Sequence, residues 1–156
     1  GASAGIGVKA NLPDLLAALI PPQMPEIESK LAERERLAQR YEKALAGNNL
    51  IQLPKAVAGG KHARHLFVIA VPGTLRDPLM LALNGAGVGC TVNYRNVPTL
   101  TYFREKYGFM ASSFPIAETW GAGTISLPLF PGLTDAEQDH VIATLKRELE
   151  RLAASH

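Results

Sequence analysis

The chain has 156 residues, 47% of them apolar and 19% charged, with a formal net charge of +2. That length fits one domain, and that balance belongs to a soluble globular chain able to bury a core. Acidic and basic residues are interleaved, so the charge carries no electrostatic footprint for nucleic acid. No apolar run reaches the roughly 18 residues of a transmembrane helix, and the N-terminus lacks a basic-then-apolar signal pattern. The single Cys90 has no internal disulfide partner, which agrees with a reducing compartment, and a cytoplasmic protein without a membrane partner is expected. The start at Gly1-Ala2-Ser3, without Met, is what a piece of a longer chain would show.

In chain order, Asn11-Leu12-Pro13-Asp14 offers a helix cap with Pro near the first turn, so the spacing predicts a short apolar helix through Leu15, Leu16 and Leu19 up to Pro21-Pro22. Those prolines interrupt it, since each lacks a donor and its ring clashes within a helix. From Pro25 to Ala46, Ile27, Leu31, Ala38, Tyr41 and Leu45 recur at helical spacing, and Glu26 and Lys30 stand four apart on another face. Gly47 ends that helix. The mixed-sign face of this helix reads as a solvated flank.

A buried strand follows over His65 to Val71, long enough and rich enough in β-branched residues. Pro72-Gly73 closes it, and Leu75 to Ala86 reads as a helix with Leu79, Met80 and Leu83 inward. A second strand is expected over Cys90 to Tyr94, short helices over Leu100 to Tyr107 and Ile116 to Trp120, and a last strand over Ile125 to Leu129 with Pro128 at an edge. The capping box Thr134-Asp135-Ala136-Glu137 opens a final helix that turns Ile142, Leu145, Leu149 and Leu152 to one side. Few strands with helices on one side predict an α/β two-layer sandwich, a single domain over residues 1–156.

Chemistry is sparse in these residues. His62 and His65 flank Arg64, but no Cys, Asp or Glu stands beside them in a metal-ligand pattern. Gly85, Gly87 and Gly89 follow a helix and precede a strand, the reverse of a phosphate-cradling turn. Ser112, Ser113, Ser126 and Cys90 have no base in a nucleophile arrangement. Tyr102, Phe103, Tyr107 and Trp120 are read as packing aromatics.

A series of segments nevertheless falls in a familiar order. Asn11 to Ala18, Arg34-Glu35-Arg36 through Tyr41, His62-Ala63-Arg64-His65-Leu66-Phe67-Val68-Ile69, Val92-Asn93-Tyr94, Tyr102-Phe103-Arg104 with Tyr107-Gly108, Phe114-Pro115 with Ala117-Glu118, and Ser126-Leu127-Pro128-Leu129 before Pro131-Gly132 together resemble the DegT/DnrJ/EryC1/StrS sugar aminotransferases. The resemblance covers nearly the whole chain and points to the C-terminal small domain of such an enzyme, a fold-type I aminotransferase with a short, mainly antiparallel sheet. It implies a class in which a lysine holds pyridoxal phosphate as a Schiff base. An amino donor such as glutamate loads the cofactor, and the amine passes to a nucleotide-linked keto sugar, in polysaccharide or deoxysugar synthesis.

In that family the reactive lysine, the aspartate at the pyridine nitrogen and most phosphate contacts lie in the N-terminal large domain, which nothing here matches. No covalent catalysis is therefore expected from this chain alone. By the resemblance, Lys9 and Asn11 sit where these dimers reach the partner subunit's cofactor phosphate, a cation and an amide donor suited to it; Asn11 suits a helix cap as well. Asn93 stands where many relatives carry a histidine lining the sugar-nucleotide pocket, and it keeps hydrogen-bonding capacity without a titratable group. Tyr94 and Arg95, on the same loop, could stack on or pair with the nucleotide, although Arg95 equally suits plain solvent exposure. The implied partners are the chain's own large domain, a second subunit and the nucleotide sugar. The alternative is a stand-alone binding module that kept the small-domain fold.

Overall fold

The computed structural model describes residues 13–55 and 59–155. It opens with α1 (Asp14–Ala17), whose first turn hangs on the Pro13 carbonyl, reached at 2.9 Å by the N–H groups of both Leu16 and Ala17. The apolar helix expected to run to Pro21 is shorter than its pattern. Bonding tightens at Leu19 and Ile20, which reach back only three residues, and Pro21–Glu26 continues as a 3-10 helix. Three prolines in six residues remove the donors an α-helical ladder would need.

The chain then enters α2 (Ile27–Leu45), close to the expected Pro25 to Ala46. Glu26 and Lys30 pair at 2.6 Å across its first turn. Leu37, Ala38, Tyr41 and Leu45 are buried on one face, and Gly47 leaves the helix with a φ of +78°, a conformation open to glycine at little steric cost.

The sheet has two antiparallel strands, β1 (Phe67–Ala70) and β2 (Thr124–Leu127), with Phe67 opposite Leu127 and Ile69 opposite Ile125. The pleat turns alternate residues to opposite faces. Phe67, Ile69, Ile125 and Leu127 join the core, whereas Val68 and its cross-strand partner Ser126, with Thr124, lie on the other face. Gln52 extends the sheet by one bridge to Ala70, with bonds of 2.8 and 2.9 Å.

The strand expected over Cys90 to Tyr94 is not formed. Only Thr91 pairs, with Ser126, because the Cys90 N–H turns back 3.4 Å to the Asn84 side chain and residues Val97–Thr99 coil into a 3-10 helix around Pro98. The other segments lie near their expected positions: α3 (Gly73–Gly85), α4 (Thr101–Tyr107), α5 (Pro115–Gly123) and α6 (Asp135–Ala153). Thr134 forms the full capping box, its hydroxyl accepting from the Glu137 N–H and the Glu137 carboxylate accepting from the Thr134 N–H at 2.8 Å.

One core joins α2, α3 and α6 to the inner face of the sheet. Leu79 and Leu83 of α3 meet Leu145 and Leu149 of α6, all fully buried, and each such side chain contributes about 1.5–3 kcal/mol of burial. Tyr41 anchors the α2 side. Its ring stacks on Phe67 with centroids 4.7 Å apart, and its hydroxyl donates to the Pro128 carbonyl at 2.9 Å. Burial pushes its phenol above the ordinary range, so it remains a donor.

A second anchor ties the loop before β1 to α2. Arg64 donates to Glu35 at 2.7 and 3.1 Å and to Glu42 at 2.8 Å, and its side chain is only 14% exposed. Its backbone has a φ of +46°, uncommon for a residue with a Cβ, held by these charge-assisted bonds. The Arg64 hydrogen bond holds the Glu35 carboxyl below its usual range.

Candidate functional site

On the sheet face opposite the core lies a cleft of about 480 Å³ lined by Pro54, Val68, Asn93, Tyr94, Asn96, Ala117, Trp120, Gly121 and Thr124. Each wall has a local cause. The pleat points Val68 and Thr124 away from the core. Pro115, lacking a donor, opens α5, which carries Ala117, Trp120 and Gly121 along one side. Failure of the Cys90 to Tyr94 strand leaves residues 92–96 as a loop that closes the remaining side.

Two of the substrate residues expected from the resemblance, Asn93 and Tyr94, therefore meet in one cleft. The Asn93 Oδ1 atom is buried without a hydrogen-bond partner. An orphaned buried acceptor is costly, and a donor brought by a ligand would relieve it. Tyr94 is 74% exposed and stands at the rim with its ring available for stacking. Arg95 is exposed and does not line the cleft. Lys9 and Asn11 lie outside the described residues.

Trp120 enters the site from a residue read as packing. It is half-buried on α5 and lines the cleft, whereas Tyr102, Phe103 and Tyr107 pack on one another, edge-on or stacked, and on toward Phe109 and Phe114. Asn96 and Gly121 also line the cleft, and neither residue type advertises a site by spacing. The only available signal was their position beside Asn93 and Trp120.

Elsewhere, His62 Nδ1 accepts from the Arg64 N–H at 2.8 Å, so this ring caps a turn. Among the described residues, no three His, Cys, Asp or Glu side chains gather where they could hold a metal ion. Cys90 lies 3.9 Å from the Met80 carbonyl, and burial raises its thiol pKa, which disfavours the reactive thiolate. No described helix is long and apolar enough to cross a membrane.

This architecture, a short two-stranded antiparallel sheet packed with helices, is that of the small domain of sugar aminotransferases. The sequence matches the DegT/DnrJ/EryC1/StrS aminotransferase family over residues 2–146, and the chain belongs to that family. Among solved structures it is similar to Spr1654 of Streptococcus pneumoniae, given as a sugar aminotransferase, here in its PMP form. Identity is 28% and the TM-score 0.84 over 92% of this chain and 37% of that one. It is also similar to NtdA of Bacillus subtilis with bound PMP (28% identity, TM-score 0.74, 88% of this chain, 32% of that one). DesV of S. venezuelae, solved with a ketimine intermediate, matches at 25% identity and a TM-score of 0.76 over 92% of this chain and 38% of that one. The chain thus spans under two fifths of the length of these relatives.

The family implies pyridoxal phosphate, and the cleft tests that expectation. It offers an orphaned amide oxygen and an indole, but its lining contains no lysine for a Schiff base and no cation for a phosphate. The lining of this cleft does not by itself fit the cofactor.

Proposed function

We propose that this chain is the C-terminal small domain of a pyridoxal phosphate-dependent sugar aminotransferase. In this reading the enzyme moves an amino group from an amino acid such as glutamate to a nucleotide-linked keto sugar. The single observation that carries it is the family match over residues 2–146 by a chain that spans under two fifths of its solved relatives. A large domain outside this sequence holds the cofactor and supplies the lysine, and the chain by itself does not transaminate.

In this reading Asn93 and Tyr94 face the sugar nucleotide, and the buried Asn93 Oδ1 accepts a hydroxyl or amino donor from it. Arg95 lies next on the loop for the diphosphate. Lys9 and Asn11 serve the cofactor phosphate of a second subunit. The exposed apolar run of Leu15, Leu16, Leu19, Ile20 and Met24 supports an absent domain or subunit, since so continuous an apolar stretch is a usual sign of an interface.

The test begins with the coding sequence upstream of Gly1, where a cofactor domain with its lysine is expected. The full-length product is then assayed for amine transfer from glutamate to nucleotide-linked keto sugars, with Asn93→Ala expected to raise KM for the sugar. An initiation codon immediately before Gly1 would end this reading and leave the stand-alone interaction module.

A further inference from the structure

The loop carrying Asn93 and Tyr94 is not held by a strand, since only Thr91 pairs with the sheet. Something else must place it. At its far end, Asn96 Nδ2 donates to Glu118 of α5 at 2.7 Å, and Asn96 Oδ1 accepts from the Thr99 hydroxyl at 2.8 Å. The Asn96 side chain thus uses its amide donor on one element and its carbonyl on another. A glycine lies behind it: a Cβ built at Gly121 would stand 2.7 Å from the Asn96 Cγ and Oδ1, well inside contact distance. The hydrogen-bonded pair is partly buried, where water competes less with such a bond.

We propose that Glu118 is a positioning residue that acts through Asn96 to fix the 93–95 loop over the cleft, with Gly121 as the space that the brace requires. The proposal rests on the reading of this cleft as the sugar-nucleotide site. Glu118 itself does not line the cleft; Asn96, Gly121 and Asn93 do. Its carboxylate therefore serves ligand binding by ordering the loop before the ligand arrives, which spares that ordering cost on binding. The same arrangement accounts for a loop with an orphaned acceptor that does not simply swing Asn93 out to water.

The test uses reversal of the bond. Glu118→Ala removes the acceptor, and Asn96→Asp sets two carboxylates against each other. Glu118→Gln keeps an acceptor, and the double exchange Asn96→Asp with Glu118→Gln swaps donor for acceptor. Backbone ¹⁵N order parameters for residues 93–97 of the 156-residue chain read the loop directly. They are expected near about 0.85 in the parent, Glu118→Gln and the double exchange, and below about 0.6 in Glu118→Ala and Asn96→Asp.

Order parameters that do not change in Glu118→Ala and Asn96→Asp, or a parent loop already below that value, overturn the proposal. So does a double exchange that fails to restore order while far-UV and near-UV circular dichroism remain native. UDP-N-acetylglucosamine, titrated against the fluorescence of Trp120, the chain's one tryptophan, gives a separate reading. Affinity is expected to fall about tenfold in Glu118→Ala, the weight of roughly one hydrogen bond, and to recover in the double exchange. If the parent does not bind this probe, the reading of this cleft as a sugar-nucleotide site loses its support, while the order parameters still decide whether the brace exists.

Discussion

The two apolar patterns in this chain meet opposite fates. Leu79, Leu83, Leu145 and Leu149 recur at helical spacing and are fully buried where α3 packs on α6. Leu15 and Leu19 recur in the same way near the N-terminus, yet Leu15 is 81% and Leu19 60% exposed. Periodicity thus states which face of a helix is apolar, while a complementary surface decides whether that face is covered. In the first region the complement is in the chain; in the second it is not among the described residues.

The largest way to test this contrast is a cavity. Leu145→Ala, between α3 and α6, is expected to cost about 2–5 kcal/mol of unfolding free energy in urea titration. The matching Leu15→Ala should stay within about 0.5 kcal/mol of the parent, and equal losses at the two sites would refute the distinction.

Next comes Gly123, where α5 meets β2. Its carbonyl accepts from the Val71 N–H at 3.0 Å, and a Cβ there would press directly on the Val71 carbonyl oxygen. Gly123→Ala is expected to destabilise by about 1–3 kcal/mol and to lower the melting temperature. Thr134→Ala removes the capping box of α6 and should cost about 1 kcal/mol by the same titration.

A smaller effect concerns pH. Glu35 has its carboxyl lowered in the fold, first by the Arg64 hydrogen bond, so its contribution is fully present above the unfolded carboxylate range and is lost as pH falls through the lowered folded value. With the Glu35 side chain 38% exposed, solvent screening keeps this contribution small. Stability of the parent should therefore fall more steeply than that of Glu35→Gln as acid is added below about pH 4.3. Identical slopes would show that the Arg64 anchor carries no linkage.

The smallest change to folding should accompany the largest change in association. The double substitution Leu15→Ser with Leu19→Ser is expected to leave the melting temperature unchanged while reducing self-association in sedimentation velocity, because it acts only on an uncovered face. A large loss of stability would mean that this face packs within the chain after all.

Much of the core was legible from the sequence. Tyr41, Leu79, Leu83, Leu145 and Leu149 fall inward by spacing alone and are buried, because helix and strand periods are local properties of the backbone. The capping box was legible for the same reason, since its two partners are three residues apart. The helix after Pro13 was overestimated, because three prolines beyond it outweigh the apolar pattern. The Cys90 to Tyr94 strand was also overestimated. Its residue types favour a strand, but strand formation needs a neighbour along its whole length, and only Ser126 is there to pair with Thr91.

For the candidate cleft, the resemblance named Asn93 and Tyr94, neighbours in sequence that both stand in its lining. It could not supply Trp120, Asn96 or Gly121 as neighbours, nor the contact of Asn96 with Glu118, 22 positions along the chain. Sequence by itself determined the longer helices, their apolar faces, the turn at Gly47 and the cap at Thr134, all set within one or two turns of backbone. Only the tertiary structure decided which apolar faces are covered, where Asn93 loses its hydrogen-bond partner and what holds its loop in place. Burial and long-range hydrogen bonds depend on what the fold brings alongside each residue, and no local pattern contains that information.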